Sequence, residues 1–317
     1  MNAVPLGTEI NTAATPEPDV WPRWLLHDRY GRDAAFGKRT QATIERYADR
    51  VLDNARLAPG MTLVDIGTGD GLVPFRAIRR IGPSLHAIFT DSSAQMLAHA
   101  EAVAAERGVR AQCRFIHCGA QHMEALPDTC ADVVTSRAVL AYVADKPAAL
   151  REIRRILKPG GRLSMAEPVF REEALAAAAL KKVVEALPPE ADGRFLTLLH
   201  RWKSLQFPDT EEKIAQNPLV NFSERDLLRH VQDAGFPEIH LELHIDVTSA
   251  MATTWEEFVH IRPHPWASSL AAVLPVSFDA AERAYFELVI RASFEAGALQ
   301  TVERVAFMTA EKEPAGP

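Results

Sequence analysis

A hydrophobic stretch that leads directly into three closely spaced glycines is the feature that most constrains the fold of this chain. Residues 63–71 read Leu-Val-Asp-Ile-Gly-Thr-Gly-Asp-Gly. An apolar run that ends at a glycine is typical of a buried strand, and glycines allow a sharp turn and a close approach of a ligand to the backbone. The sequence therefore predicts a strand, Thr62–Ile66, and a ligand-binding loop after it.

Helical and strand-like patterns alternate after this loop. Helices are predicted from the loop to residue 80 and over 92–107 and 146–157, and further strands over 86–90, Cys113–His117, 131–136 and 162–167. Strands that alternate with helices form a parallel sheet with right-handed crossovers. We therefore predict an α/β fold with a mostly parallel, doubly wound sheet.

The other parts of the chain have different patterns. The predicted units are a disordered leader at 1–19, an N-terminal helical lid at 20–58, the α/β core at 59–170, a helical insertion at 171–222 that ends in a loop at 207–221, the rest of the sheet at 223–311 with a second helical insertion at 250–298, and a tail at 312–317. We expect the lid and the two insertions to form a cap over the ligand end of the sheet.

Charge and hydrophobicity limit the kinds of partner that the chain is expected to bind. There are 35 Lys and Arg against 42 Asp and Glu, a net charge of −7, which argues against a nucleic-acid partner because such proteins present a basic field to phosphates. No stretch reaches the roughly 18 apolar residues of a membrane span, and no secretory signal is apparent. We therefore expect no membrane partner and a cytoplasmic location. Three cysteines without a Cys-x-x-Cys unit predict no metal site.

The spacing of the glycines distinguishes two kinds of nucleotide-binding loop. Gly67, Gly69 and Gly71 are spaced G-x-G-x-G, whereas a dinucleotide-binding loop is spaced G-x-G-x-x-G and would need a glycine at Leu72. Asp91 ends the second predicted strand, where a carboxylate accepts hydrogen bonds from the two ribose hydroxyls of a nucleoside cofactor. Alternatively, Asp91 or Ser92 would cap the following helix.

These motifs resemble the class I methyltransferase family. The matching stretches are Val-Asp-Ile-Gly-Thr-Gly-Asp-Gly at 64–71, Asp91, Asp-Val-Val-Thr-Ser-Arg at 132–137, Leu-Lys-Pro-Gly-Gly-Arg-Leu at 157–163 and Asp-Ala-Gly-Phe at 233–236. The resemblance implies a seven-stranded sheet whose last strand is antiparallel. It also implies that S-adenosylmethionine is the cofactor and lies over the strand ends.

The resemblance further implies which residues contact the cofactor. The methionine moiety would contact Asp65, Gly67, Thr68, Gly69 and Gly71, the ribose Asp91, and the adenine Ser92 and Met96. Many members have an acidic residue for the adenine amine after the third strand, where this chain has no carboxylate. There the Gln121 side chain, with the Ala120 backbone, is the substitute. Ser136 and Arg137 would lie near the transferred methyl group.

Candidate residues for the methyl acceptor are polar or aromatic side chains expected to face the same cleft. They are Tyr30, Arg137, Tyr142, Glu167, His260 and Arg262. Arg137 would hold a carboxylate of the cofactor or the acceptor through two hydrogen bonds, or else form a surface ion pair. The sequence identifies no catalytic residue. His27, His260 and Glu167 are the candidates for a base, which is needed only where the acceptor must lose a proton.

The sequence predicts an S-adenosylmethionine-dependent methyltransferase that acts on a nitrogen, oxygen or sulfur nucleophile of a small molecule. The insertions and the acidic charge balance favour an enclosed pocket for such an acceptor. Two alternatives stay open. One is a nicotinamide-dependent oxidoreductase, which the glycine spacing disfavours, and the other is a binding module that holds S-adenosylmethionine without catalysis. The helical cap would equally well be the face of a homodimer.

Overall fold

The structure, a computed structural model, describes residues 19–29, 34–249 and 252–315. Its seven strands are β1 Thr62–Ile66, β2 His86–Asp91, β3 Cys113–His117, β4 Ala131–Arg137, β5 Leu157–Pro168, β6 Glu238–Ser249 and β7 Gln300–Glu311. They form one sheet in the order β3-β2-β1-β4-β5-β7-β6. The first five strands pair in parallel, and β7 runs antiparallel to both β5 and β6. The predicted seven-stranded, mostly parallel sheet with an antiparallel last strand is confirmed.

Helices connect and cover these strands. They are α1 Trp21–Arg23, α2 Ala34–Ala55, α3 Leu72–Ile81, α4 Ala94–Glu106, α5 Lys146–Ile156, α6 Arg171–Glu185, α7 Arg194–Ser204, α8 Glu211–Gln216, α9 Glu224–Asp233, α10 Trp255–His260, α11 Leu270–Ser277 and α12 Ala280–Glu295. The first of them continues as a π-helical turn, Trp24–Asp28. In the part of the chain that the structure describes, no helix is both long enough and apolar enough to cross a membrane.

The sheet separates two hydrophobic layers. Leu63 and Val64 are neighbours in β1 and both fully buried, yet they belong to different clusters because successive side chains of a strand point to opposite faces. Helices α5 and α9 cover the face of Val64, and α2, α3 and α4 cover the face of Leu63. Strands that are buried on both faces are apolar over most of their length, as β1 and β4 are.

The two helical insertions pack against each other in a third cluster. Leu198 and Trp202 of α7 contact residues of α10, α11 and α12, among them Val259, Leu274 and Phe286. The insertions therefore form one helical layer, although 223–249 separates them in the sequence. This layer is the cap that the sequence predicted.

The expectation of a loop over 207–221 is wrong in part, because α8 lies within it. The Thr210 side chain caps this helix by accepting a hydrogen bond from the Lys213 backbone N–H. Only Ile214 of its six residues is buried. A helix this short has too few apolar positions to produce a helical period in the sequence.

Candidate functional site

A cavity of about 930 Å³ lies over the carboxyl ends of β1, β2 and β4. The core contributes residues 67–70 after β1, 91–92 at the end of β2, 118–122 after β3 and 137–139 at the end of β4. The lid contributes Trp21, Trp24 and Leu25, and the helical layer closes the opposite side. Small-molecule sites usually measure about 300–1,000 Å³. This cavity therefore has room for a nucleoside cofactor together with a second small molecule.

The glycine loop depends on backbone conformations that side chains disfavour. Gly67, Gly69 and Gly71 all have positive φ angles, of 60°, 53° and 79°. A Cβ atom on Gly67 would lie 2.4 Å from a methyl carbon of Val139, and one on Gly71 would lie 2.4 Å from the Phe75 ring. Gly67 and Gly69 line the cavity, whereas Gly71 precedes α3 and does not. The third glycine is therefore required by packing within the fold.

Asp91 presents a fixed carboxylate to the cavity. Its Oδ2 accepts a hydrogen bond from the Gly69 backbone N–H at 2.8 Å, and its Oδ1 accepts one from the Ser93 backbone N–H at 2.8 Å. Each oxygen retains a lone pair for a further donor. Burial raises the pKa of Asp91, and the two backbone N–H groups oppose that shift. The alternative that Asp91 or Ser92 caps α4 is wrong, because Ser93 is the capping residue and accepts from the Met96 N–H.

Asp65 lies in the sheet layer and does not line the cavity. Its side chain is buried, and its Oδ1 accepts a hydrogen bond from the Thr135 hydroxyl at 2.6 Å. Burial is the largest influence on this carboxyl and raises its pKa to about 7 from an ordinary value of 3.8. Its implied contact with the methionine moiety stays a prediction.

We expect the stability of Asp65→Asn, measured relative to the wild type, to increase as the pH rises. A carboxyl whose pKa is raised by folding binds its proton more tightly in the folded chain, so its contribution to stability is complete below about pH 4 and is lost towards pH 7. The uncharged amide does not titrate. The free energy of unfolding of Asp65→Asn should rise by roughly 3 kcal/mol relative to that of the wild type between pH 4 and pH 7.

Denaturant unfolding at several pH values between 4 and 7.5 measures this difference. Asp128→Asn is the matched control, because Asp128 is exposed and pairs with Arg155. A difference between Asp65→Asn and the wild type that stays constant over this pH range would contradict the expectation.

The other residues with a predicted cofactor role divide into two groups. Those that line the cavity are Thr68, Ser92, Ala120, Gln121 and Arg137. Met96 and Ser136 are buried outside the lining, and the Ser136 hydroxyl donates to Glu167 at 3.3 Å. Among the described residues Arg137 finds neither a hydrogen-bond partner nor an ion-pair partner, so its guanidinium is available to a ligand.

Only some of the residues that were predicted to contact the methyl acceptor lie at the cavity in the structure. Tyr142 and Arg262 line the cavity, whereas His260 is exposed on α10 outside it. His27, the other histidine considered as a base, is exposed on the lid and also outside the lining. Tyr30 lies outside the residues that the structure describes.

Glu167, the remaining base candidate, is fully buried and does not line the cavity. Its carboxylate accepts hydrogen bonds from the backbone N–H groups of Val139, at 3.0 Å, and Ala141, at 3.2 Å. Ala138, in the same segment, has a positive φ of 55°. This geometry makes Glu167 an anchor for the segment after β4, which carries Val139 and Tyr142 into the cavity wall.

The N-terminal segment that was predicted to be a lid contacts the core and the second insertion. The Trp21 ring lies 4.9 Å from the Tyr142 ring and 6.0 Å from the Trp266 ring, both edge to face. Asp28 forms an ion pair with Arg262 at 2.8 Å. Arg262 thus pairs with Asp28 and also lines the cavity, and its contact with the methyl acceptor stays a prediction.

A cluster of polar side chains that the sequence analysis did not identify lines the cavity on the side away from Asp91. It consists of Glu173 on α6, Lys203 on α7 and Arg304 on β7. Arg304 donates to Glu173 Oε1 at 2.7 Å. The one available signal was the helical spacing of Lys203, which is four residues after Leu199 and next to Trp202, on the inward stripe of α7.

Known proteins share both the sequence pattern and the fold. A family model described as a methyltransferase domain matches residues 57–216, half of the chain. Nocamycin O-methyltransferase of Saccharothrix syringae is 36% identical over 148 residues, 45% of this chain and 52% of that protein. The tRNA 5-carboxymethoxyuridine methyltransferase of Escherichia coli is 35% identical over 130 residues, 41% of this chain and 48% of that protein. The chain thus spans about half the length of these two curated relatives.

Solved structures agree on the fold. A putative methyltransferase from Bacillus halodurans superposes with a TM-score of 0.51 at 18% identity, covering 84% of this chain and 98% of that one. The cyclase SpnF superposes with a TM-score of 0.50 at 22% identity, covering 87% of this chain and 84% of that one. Identities this low show a shared fold alone. With the match to the methyltransferase domain, the chain belongs to the class I S-adenosylmethionine-dependent methyltransferase family.

Proposed function

We propose that this protein transfers a methyl group from S-adenosylmethionine to a nitrogen, oxygen or sulfur atom of a small molecule. The observation that carries the proposal is the Asp91 carboxylate, which two backbone N–H groups hold at the cavity wall beside the glycine loop. A carboxylate in this position accepts hydrogen bonds from both hydroxyls of a ribose. The family to which the chain belongs uses a cofactor with such a ribose.

The cofactor would lie across the ends of three strands in this proposal. Its ribose would bind Asp91, and its adenine would lie against Ser92, Ala120 and Gln121, which line the cavity beside Asp91. Its methionine moiety would lie over the glycine loop, whose Gly67 and Gly69 leave the backbone open to a ligand. The available guanidinium of Arg137 would pair with a carboxylate there.

The chain's own residues would align the reactants and exclude water. Bound S-adenosylmethionine supplies a methyl group that its sulfonium already activates for in-line displacement. An amine, thiolate or thioether acceptor would need no base in this transfer. Trp21, Trp24 and Leu25 line the cavity and would limit the access of water to it. Alignment of the two reactants lowers the barrier to transfer. His27 and His260, both outside the lining, have no part in this scheme.

Enclosure and charge support a small acceptor over a nucleic acid. The lid and the helical layer cover the strand ends where the acceptor must bind. Along the basic run near residues 151–162, ion pairs join Arg154 to Glu313, Arg155 to Asp128, Lys158 to Asp132 and Arg162 to Glu311. These pairs reduce the positive field that phosphates need. A relative that modifies tRNA makes the comparison with RNA a necessary part of the test.

Two measurements test the proposal. Calorimetric titration with S-adenosylmethionine, S-adenosylhomocysteine and NAD should give binding of the first two compounds and not of NAD. Incubation with methyl-labelled cofactor and a cell extract, separated into metabolites, RNA and protein, should then place the label in the metabolite fraction.

Each of the other possible outcomes would contradict a different part of the proposal. Binding of NAD alone would favour the oxidoreductase alternative. Binding of S-adenosylmethionine with no transfer of label would favour the non-catalytic module, and label in RNA would contradict the small acceptor while leaving methyl transfer intact.

A further inference from the structure

The polar group of Glu173, Lys203 and Arg304 lies away from the proposed cofactor position. Glu173 is in the first turn of α6, directly after β5, and Arg304 is in β7. Asp91 ends β2, and β1, β4 and β5 lie between β2 and β7. Strands β2 and β7 are therefore four strand spacings apart, a distance of about 19 Å. A cofactor that extends from β2 to β4 leaves this side of the cavity to the acceptor.

Lys203 is the member of this group that forms no ion pair within the described residues, although the Glu173 charge acts on it. Arg304 and Glu173 form an ion pair with each other. The Lys203 ammonium lies over the Trp202 ring, 4.6 Å from its centroid. Within the residues that the structure describes it makes no hydrogen bond and no ion pair. The group therefore carries a surplus of one positive charge, on a side chain that lines the cavity.

An unpaired ammonium in this position points to a bound anion. Burial lowers the pKa of Lys203 because desolvation disfavours the charged form, and the Glu173 charge opposes this only in part. The side chain is half-buried, and a partly desolvated charge is stabilised by a group of opposite charge beside it. An anionic group of the acceptor would supply that pair.

Aromatic rings line the same cavity as the ammonium and define the rest of the ligand. Phe170 and Phe207 lie 6.0 Å apart, and Trp202 and Phe258 lie 6.2 Å apart. All four rings line the cavity. Such walls stabilise an apolar body by removing its surface from water.

We propose that the methyl acceptor is an apolar organic acid, and that Lys203 binds its anionic group while Phe170, Phe207 and Trp202 enclose its apolar body. The inference depends on the proposed function for the identity of the site, since it assigns the acceptor half of the same cavity. Lys203 is then the residue that determines the charge of the acceptor. The methylated atom is a separate nucleophile of the same molecule, near the end of β4.

Two probes of equal shape and different charge test this inference. 1-Naphthaleneacetate and the uncharged 1-naphthaleneacetamide are titrated calorimetrically into the full chain with S-adenosylhomocysteine present. A hydrogen bond to a charged group contributes about 10-fold to 100-fold in affinity. We expect the acid to bind more tightly than the amide by this factor, and Lys203→Met to remove the preference.

Two variants control for folding and for general charge effects. Lys203→Arg keeps the cation and should keep the preference for the acid. Lys182→Met removes an exposed lysine that pairs with Glu211 on the outer side of α6, and should leave the preference unchanged.

Three results would overturn the inference. They are equal affinity of the wild type for both probes, an unchanged preference in Lys203→Met, and no binding of either probe at millimolar concentration. A preference for the acid that depends on Lys203, in a chain that fails to bind S-adenosylmethionine, would instead refute the proposed function and leave the anion site standing.

Discussion

Asp91→Ala is expected to lower the affinity for S-adenosylmethionine at least about 100-fold. The carboxylate would accept two hydrogen bonds from the ribose hydroxyls, and a hydrogen bond to a charged group contributes about 1.5–3 kcal/mol. Loss of both corresponds to about 3 kcal/mol or more, where 1.4 kcal/mol is about tenfold in affinity. The substitution also removes the acceptor for the Gly69 N–H, which helps to hold the glycine loop. Calorimetric titration of the variant measures the loss.

Two further variants sharpen this test. Asp91→Asn keeps one acceptor oxygen and should lie between the wild type and Asp91→Ala in affinity. Asp128→Asn removes an exposed carboxylate outside the cavity and should bind the cofactor as the wild type does. An Asp91→Ala protein that binds S-adenosylmethionine within about threefold of the wild type, a difference under about 1 kcal/mol, would exclude Asp91 as the ribose ligand.

Glu167→Ala is expected to destabilise the protein by about 3–5 kcal/mol. The substitution leaves the buried N–H groups of Val139 and Ala141 without an acceptor, and each such loss costs about 1–3 kcal/mol. It also opens a space in a fully buried position. Denaturant unfolding measures the change. Glu124→Ala, at an exposed carboxylate, is the control and should change stability by less than about 0.5 kcal/mol.

Glu167→Gln separates the role of an anchor from that of a base. The amide keeps one acceptor oxygen for the segment after β4, so we expect an intermediate loss of stability and a matching, partial loss of methyl transfer. Cofactor binding should be affected less than transfer, because the anchored segment carries Tyr142, a predicted acceptor contact, into the cavity wall. A variant as stable as the wild type but without transfer activity would instead support Glu167 as a base.

Most of the fold followed from local patterns in the sequence. The predicted β1 and β3 have the bounds found in the structure, and β2 and β4 differ by one residue at the end. Strands β1, β2 and β4 are buried over most of their length on both faces, so their apolar runs are easy to recognise. The helix α8 was missed because one buried residue in six makes no period. The prediction therefore failed where an element depends on capping rather than on a hydrophobic face.

The candidate site was predictable where it depends on the ends of neighbouring strands. Gly67, Gly69 and Asp91 meet because the carboxyl ends of parallel strands share one edge of the sheet. The direction in which individual side chains point was harder to predict from the sequence. Ser136 and Arg137 are adjacent at the end of β4, yet only Arg137 lines the cavity, because successive side chains of a strand point to opposite faces.

The sequence by itself determined the alternation of strands and helices, the glycine loop and the carboxylate that faces it. Those features are local, because the hydrophobic period, the turn residues and the succession of strands along the chain can each be read from short stretches of sequence. Only the tertiary structure brought Glu173 to Arg304, 131 residues away, and placed Lys203 beside them. The packing of the first insertion against β7, which neighbours β5 in the sheet but lies far from it in the chain, decides that meeting. No periodicity within the insertion records which strand it will contact.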